Sequence, residues 1–195
     1  MNYNEIMSLK NKTESGYLEI IIGPMFSGKT SKLLELYKQY KFCNLKVAVV
    51  NHSEDIRYNA TLLSSHDKVM IPCIQTTHLV HLTNEDEIYE ADVILINEAQ
   101  FFNDLYCFVV DMLKFNKKIY VSGLDGDFER KKFGQILDLI PLCDKVTKMT
   151  SLCSLCKNGT PGLFSMRLTK EKEQMLIGAS NYIPVCRVCY QENTH

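Results

Sequence analysis

No apolar run in the chain approaches the roughly 20 residues that span a bilayer. The first 16 residues alternate polar with isolated apolar side chains and are read as a flexible N-terminus without a signal peptide. A membrane-embedded protein is therefore not expected. Positive charge is not in excess either: 22 basic and 23 acidic side chains leave a formal net charge of −1, so the broad basic footprint of a protein that coats nucleic acid is missing. Eight cysteines in 195 residues, about 4%, fall short of the density that marks disulfide-stapled secreted domains, which points to reduced thiols and a cytoplasmic setting. Internal repeats and low-complexity tracts are absent as well, leaving a globular chain that is 46% hydrophobic and 23% charged.

Residues 17–22 (YLEIII) form a short β-branched run that breaks at Gly23-Pro24 and predicts a buried strand ending in a loop. Leu33, Leu36, Tyr37 and Tyr40 then recur at helical spacing among polar residues, predicting a helix with one apolar stripe. Further short apolar runs at 47–50, 93–96 and 119–121, and a weaker one at 145–150, predict strands, with a helix over 101–115. Strands that are continuously apolar belong to sheets covered on both faces, so the expected class is α/β with a parallel sheet and flanking helices. The polar stretch 51–90 shows only a weak strand near 69–71, and a hairpin or short helices are expected there, with a subunit contact as one use for them. From Ser151 the composition shifts to paired cysteines, which divides the chain into a domain over 17–150 and a small one over 151–195.

Gly23-Pro24-Met25-Phe26-Ser27-Gly28-Lys29-Thr30 matches G-x-x-x-x-G-K-[ST] and lies between the strand and the helix that a phosphate-binding loop requires. Its amides converge on phosphates, Lys29 reaches the outer phosphates, and the Thr30 hydroxyl is a Mg²⁺ ligand. Such a loop works with a carboxylate at a neighbouring strand end, and the run 93–96 leads through Asn97 into Glu98, which can accept a proton from an attacking hydroxyl or position a water. Cys153-x-x-Cys156 and Cys186-x-x-Cys189 form two knuckles 29 residues apart, suited to a closed four-thiolate structural Zn²⁺ site, with redox pairs or disulfides as the alternatives.

GPMFSGKT, the Asn-Glu-Ala-Gln-Phe-Phe stretch 97–102, the segment 124–134 and the two CxxC pairs, in this order, resemble the type II (cytosolic-type) thymidine kinase family from about Tyr17 to Tyr190. The resemblance implies a P-loop NTPase-like sheet plus a small C-terminal zinc-binding lasso domain. It implies Mg²⁺-dependent transfer of the ATP γ-phosphoryl group to the 5′-hydroxyl of thymidine, giving dTMP for nucleotide salvage, with deoxyuridine a further acceptor to be tested. Glu98 matches the family's general base and Lys29 a catalytic phosphate ligand, while Asp55 and Arg57 match a motif near the transfer site and Ser65-His66-Asp67 another. Met25, Phe101, Leu124, Phe128 and Phe133 match the thymine pocket; periodicity alone would assign them to the core. Gln174, Met175, Leu176, Ile177 and Gly178 match the lasso whose backbone reads the base, and Tyr182 matches a tyrosine that packs nearby. A homotetramer and feedback inhibition by dTTP are further implications; no direct contact with nucleic acid or membrane is implied.

Three features depart from the family pattern. Asn97 stands where the family usually has aspartate, the segment 156–164 is longer, and one residue is missing between Gly178 and Tyr182, which loosens the alignment of Ser165 and Met166 with pocket positions. A rival class is an ATPase fused to a nucleic-acid-binding zinc ribbon. Residues 151–195 carry five Lys or Arg and three Glu, a net of +2, which is a weak footprint for that role.

Overall fold

The computed structural model describes residues 15–53, 62–64, 70–171, 173–174 and 181–193. Three β-branched or leucine-rich runs, β1 (Tyr17–Ile22), β2 (Val47–His52) and, after β3 (Leu62–Ser64), β4 (Met70–Pro72) and β5 (Ile74–Thr76), β6 (Val93–Ile96), form the heart of one sheet with β7 (Lys118–Gly123) and β8 (Lys145–Lys148). Its order is β5-β2-β6-β7-β1-β8, every pairing is parallel, and the register sets Ile20 beside Val121 and Ile94 beside Ile119. All four residues of β6 are buried, as the unbroken apolar run requires of a strand covered on both faces.

Alternation along β1 sends Leu18, Ile20 and Ile22 to one face and Ile21 to the other. The first face packs against Leu105, Phe108, Val109 and Met112 of a helix spanning Leu105–Lys114, the second against Leu33, Leu34 and Leu36 of a helix spanning Lys29–Phe42. Each such side chain fully removed from water contributes about 1.5–3 kcal/mol, so the two faces hold the sheet rigid between them. In chain order the helices are α1 (Lys29–Phe42), α2 (Asp86–Glu90), α3 (Leu105–Lys114) and α4 (Arg187–Asn193).

Two elements differ from the sequence reading. The helix expected over 101–115 begins only at Leu105: residues 99–101 form a 3-10 turn, Phe102 is extended and fully buried, and the Asp104 carboxylate is turned away to accept a hydrogen bond from the Val80 amide. The strand expected over 145–150 ends at Lys148, where its pairing with β1 stops, and the next strand, β9 (Ser151–Leu152), pairs antiparallel with β10 (Pro161–Gly162). Within 51–90, β3 and β4 pair antiparallel and are followed by a 3-10 turn over Leu79–Leu82 and α2.

Beyond Ser151, β11 (Phe164–Arg167) pairs antiparallel with β12 (Tyr182–Val185), and Cys153, Met166, Val185, Cys186 and Tyr190 form a separate small core. No helix among the described residues is long and apolar enough to cross a membrane. The expected flexible N-terminus falls on residues of which 1–14 lie outside the described part.

Candidate active site

The C-terminal ends of β2, β6, β7 and β1 lie side by side in the sheet, the edge at which α/β folds bind ligands. From β1 the chain enters the loop Gly23–Gly28 and then α1, whose N-cap Gly28 adopts φ 84°, ψ 13°. That left-handed conformation favours glycine, and with Phe26 at φ 61° it curls the loop into a nest of amides. Among the described residues no side chain caps α1 and no acidic residue lies in its first turn, so its first amides remain oriented for an anion. Lys29 is buried at the base of the nest, its Nζ donating to the Pro24 carbonyl at 2.7 Å and to Ser27 Oγ at 3.4 Å. Thr30 follows it in the first turn of α1, and the Met25 amide donates to Ser165 Oγ at 2.9 Å, tying the loop to β11.

Glu98 lies just beyond β6, in the left-handed conformation at φ 50°, ψ 41°, and is half-buried. Gln100, a residue the sequence reading does not single out, organises it. Its Nε2 donates to Glu98 Oε2 at 2.7 Å while its Oε1 accepts from the Leu124 amide at 3.0 Å. One buried amide thus fixes the carboxylate relative to the loop after β7. Asn97 is buried with its Nδ2 donating to Asn51 Oδ1 at 2.9 Å, and Asn51 in turn donates to Gln75 Oε1 at 3.4 Å. These three amides form a ladder across the ends of β6, β2 and β5.

Met25, Phe101, Leu124, Phe128 and Phe133 are all half-buried, neither packed into the core nor solvated. Phe101 meets Phe133 edge-on at 5.6 Å and the buried His52 ring at 5.5 Å. The turn that delivers Phe133 requires glycine: Gly134 adopts φ 61°, and a Cβ there would stand 2.1 Å from the Gln100 carbonyl oxygen. Gly134→Ala is accordingly expected to destabilise the fold by about 1–3 kcal/mol, read as a lowered urea midpoint; an unchanged midpoint contradicts the close approach. Phe128 lies against the small C-terminal unit, with the Arg167 guanidinium 3.7 Å above its ring and its carbonyl accepting from the Tyr190 hydroxyl at 2.6 Å. Gln174 Nε2 donates to Asp127 Oδ2 at 2.7 Å, and the buried Tyr182 hydroxyl accepts from Arg167 at 2.6 Å. Asp55, Arg57, Ser65, His66, Asp67, Met175, Leu176, Ile177 and Gly178 lie outside the described residues.

The four sulfurs of Cys153, Cys156, Cys186 and Cys189 lie within 4.8 Å of one another, with Cys156 Sγ 3.4 Å from Cys189 Sγ and 3.7 Å from Cys186 Sγ. A disulfide needs about 2.05 Å, whereas four thiolates about 2.3 Å from one tetrahedral ion are about 3.8 Å apart. None of these four cysteines is joined by a disulfide, and the cluster fits a metal ion of zinc's size. Burial works against ionisation of Cys153, but backbone hydrogen bonds with Cys156, Cys186 and Leu155 outweigh it and bring the thiol down to about 6. Hydrogen bonds to Cys156 and Cys186 push the Cys189 thiol up.

Gln100, Arg167 and Tyr190 have roles here that the sequence does not announce. Gln100 lies two residues past Glu98 inside the motif 97–102, and Arg167 is the last residue of β11, flanked by Met166 and Leu168; neither position discloses its distant partner.

A phosphate loop and a strand-end carboxylate brought to one edge of a parallel sheet define a P-loop phosphotransferase. The thymidine kinase family model matches residues 16–190. The chain is 43% identical over 176 residues to a thymidine kinase of sheeppox virus (strain KS-1), covering 90% of this chain and 97% of that protein. It is 38% identical over 194 residues to thymidine kinase a of Arabidopsis thaliana, covering 97% and 81%, and 40% identical over 177 residues to a thymidine kinase of rabbit fibroma virus (strain Kasza), covering 90% and 96%. The chain belongs to the thymidine kinase family.

Proposed function

We propose that the chain transfers the γ-phosphoryl group of ATP to the 5′-hydroxyl of thymidine, releasing dTMP and ADP. The observation that carries this reading is the Gln100 bridge, which locks Glu98 to Leu124 and so holds a proton acceptor at a fixed offset from the proposed base pocket. In the reaction the 5′-oxygen attacks the γ-phosphorus, the bond to the β,γ-bridging oxygen breaks, and the hydroxyl proton passes to Glu98. The loop 23–28 and Lys29 hold the phosphates; Lys29 moves from its loop carbonyl to the outer phosphate oxygens. Asp55 and Arg57 are assigned to the same site by resemblance.

The Thr30 hydroxyl and the nucleotide would hold magnesium, which would supply positive charge to the phosphates. Thr30 offers the hard oxygen this ion prefers, whereas Asn97 offers only a neutral amide already engaged with Asn51. Asn97→Asp restores a carboxylate, and Asn51 can turn its amide to donate to it. That variant is expected to reach half-maximal rate at a Mg²⁺ concentration about threefold or more lower, measured by titrating the ion at saturating ATP. An unchanged Mg²⁺ dependence rejects this account of Asn97.

Met25, Phe101, Leu124, Phe128 and Phe133 suit a flat base, and Gln174, Met175, Leu176, Ile177, Gly178 and Tyr182 are assigned to its closure by resemblance. Residues 17–150 act as the kinase domain and 151–195 as a zinc-binding lasso domain that carries this closure. Cys153, Cys156, Cys186 and Cys189 would hold zinc as four thiolates, and the ion would serve structurally by joining the two knuckles. A homotetramer, dTTP feedback and a reducing, cytoplasmic setting complete the reading. The direct test compares thymidine, deoxyuridine, deoxycytidine and no nucleoside for ADP formation by zinc-loaded protein. Thymidine-dependent ADP formation is expected; equal ADP formation in all four, stimulated by DNA, would instead favour a nucleic-acid-dependent ATPase.

A further inference from the structure

Arg167 ends β11 and is only 9% exposed, an expensive place for a cation unless many acceptors surround it. Its Nη1 donates to the carbonyls of Glu171 at 2.9 Å and Glu173 at 2.6 Å, and its Nη2 to the carbonyl of Gln174 at 3.2 Å and the Tyr182 hydroxyl at 2.6 Å. Its flat face covers Phe128 at 3.7 Å and lies 5.2 Å from the Tyr182 ring. One side chain therefore grips the carbonyls of Glu171, Glu173 and Gln174 in one segment, the Tyr182 hydroxyl at the start of β12, and the Phe128 ring supplied by the loop after β7.

We propose that Arg167 is a positioning residue of the nucleoside pocket, holding Gln174 and Tyr182 on one side and the Phe128 ring on the other at a fixed separation before the nucleoside arrives. The inference rests on the functional reading above, in that Gln174, Tyr182 and Phe128 are taken to line the nucleoside pocket. Charge-assisted bonds to backbone carbonyls suit the role because they survive changes in the segment's own side chains. Only a planar fork can make these three carbonyl bonds and the one to the Tyr182 hydroxyl while stacking on a ring; an ammonium has three donors at one point and no face. Gln174 and Asp127 add a second tie across the same gap.

The test is Arg167→Lys in zinc-loaded, full-length protein, with Tyr182→Phe as a milder variant that removes one of the four bonds. For Arg167→Lys the thymidine KM is expected to rise about tenfold or more while kcat and the ATP KM stay within about threefold, because the chemistry and the phosphate loop are untouched. Tyr182→Phe should shift the thymidine KM in the same direction by a smaller factor. Independently of activity, tryptic cleavage after Lys170 should accelerate about tenfold in Arg167→Lys with zinc content unchanged, since cleavage follows local opening of the segment. Unchanged cleavage overturns the clamp. Faster cleavage with an unchanged thymidine KM, or parallel loss of kcat and ATP affinity, reduces Arg167 to general support and overturns the proposal. A wild-type protein that phosphorylates no nucleoside removes the functional reading itself and, with it, the nucleoside role assigned to Arg167, whatever the cleavage pattern.

Discussion

Glu98→Gln lowers kcat by about 10²–10⁴ while thymidine still binds with a dissociation constant within about threefold of the parent's. The substitution is nearly isosteric, and the side-chain carbonyl oxygen of the introduced glutamine can still accept the Gln100 Nε2 hydrogen bond that the Glu98 carboxylate accepts. The left-handed backbone at this position is no harder for glutamine than for glutamate. What disappears is the capacity to take a proton from the 5′-hydroxyl, so the loss falls on the chemical step. Equilibrium dialysis with labelled thymidine, alongside steady-state kinetics, separates the two. Full turnover in the variant removes Glu98 from the role of base; lost binding with the same lost turnover makes it a structural carboxylate instead.

Cys186→Ser lowers bound zinc from about one per chain to a small fraction, because structural Zn²⁺ sites bind with about 10 kcal/mol or more of free energy that depends on the full ligand set. Cys186 is buried in the small core with Cys153, Met166, Val185 and Tyr190, and α4 follows directly from it. Loosening this unit releases Tyr190 from the Phe128 carbonyl and weakens the mounting of Arg167, so the thymidine KM should rise by about tenfold or more, or the chain should fail to fold. Cys43→Ser, at the exposed C-terminal end of α1, serves as the control with zinc and activity unchanged. Metal analysis of both variants checks the assignment. Metal-free Cys186→Ser with full activity contradicts it, and stoichiometric zinc in that variant shows that the four-sulfur site is not where the metal resides.

The parts of this molecule legible in its sequence are those whose signal is local. The phosphate loop is one contiguous motif between a strand and a helix, and β1, β2, β6 and β7 are runs of buried side chains that nothing else in the chain resembles. The CxxC pairs declare themselves by spacing, and the structure brings all four sulfurs together. Three-residue strands such as β3 and β4 are too short to express a period of two, so 51–90 predicts only a hairpin or short helices without bounds. The start of α3 differs from its expected place because Phe102 continues the apolar pattern but is claimed by the sheet-facing core rather than by the helix. Arg167 and Gln100 are hidden for a different reason. Their importance lies in partners distant along the chain or on the backbone, and a carbonyl acceptor leaves no mark in an amino-acid sequence.

The most direct test of the central claim uses ATP labelled with ¹⁸O in the non-bridging γ-oxygens, incubated with thymidine, Mg²⁺ and the purified zinc-loaded protein, with the nucleotide product analysed by mass spectrometry. The account predicts thymidine 5′-monophosphate carrying all of the label in its phosphoryl group, one ADP per product, and no product from Glu98→Gln on the same timescale. Label appearing only in inorganic phosphate, at a rate indifferent to thymidine, would contradict it.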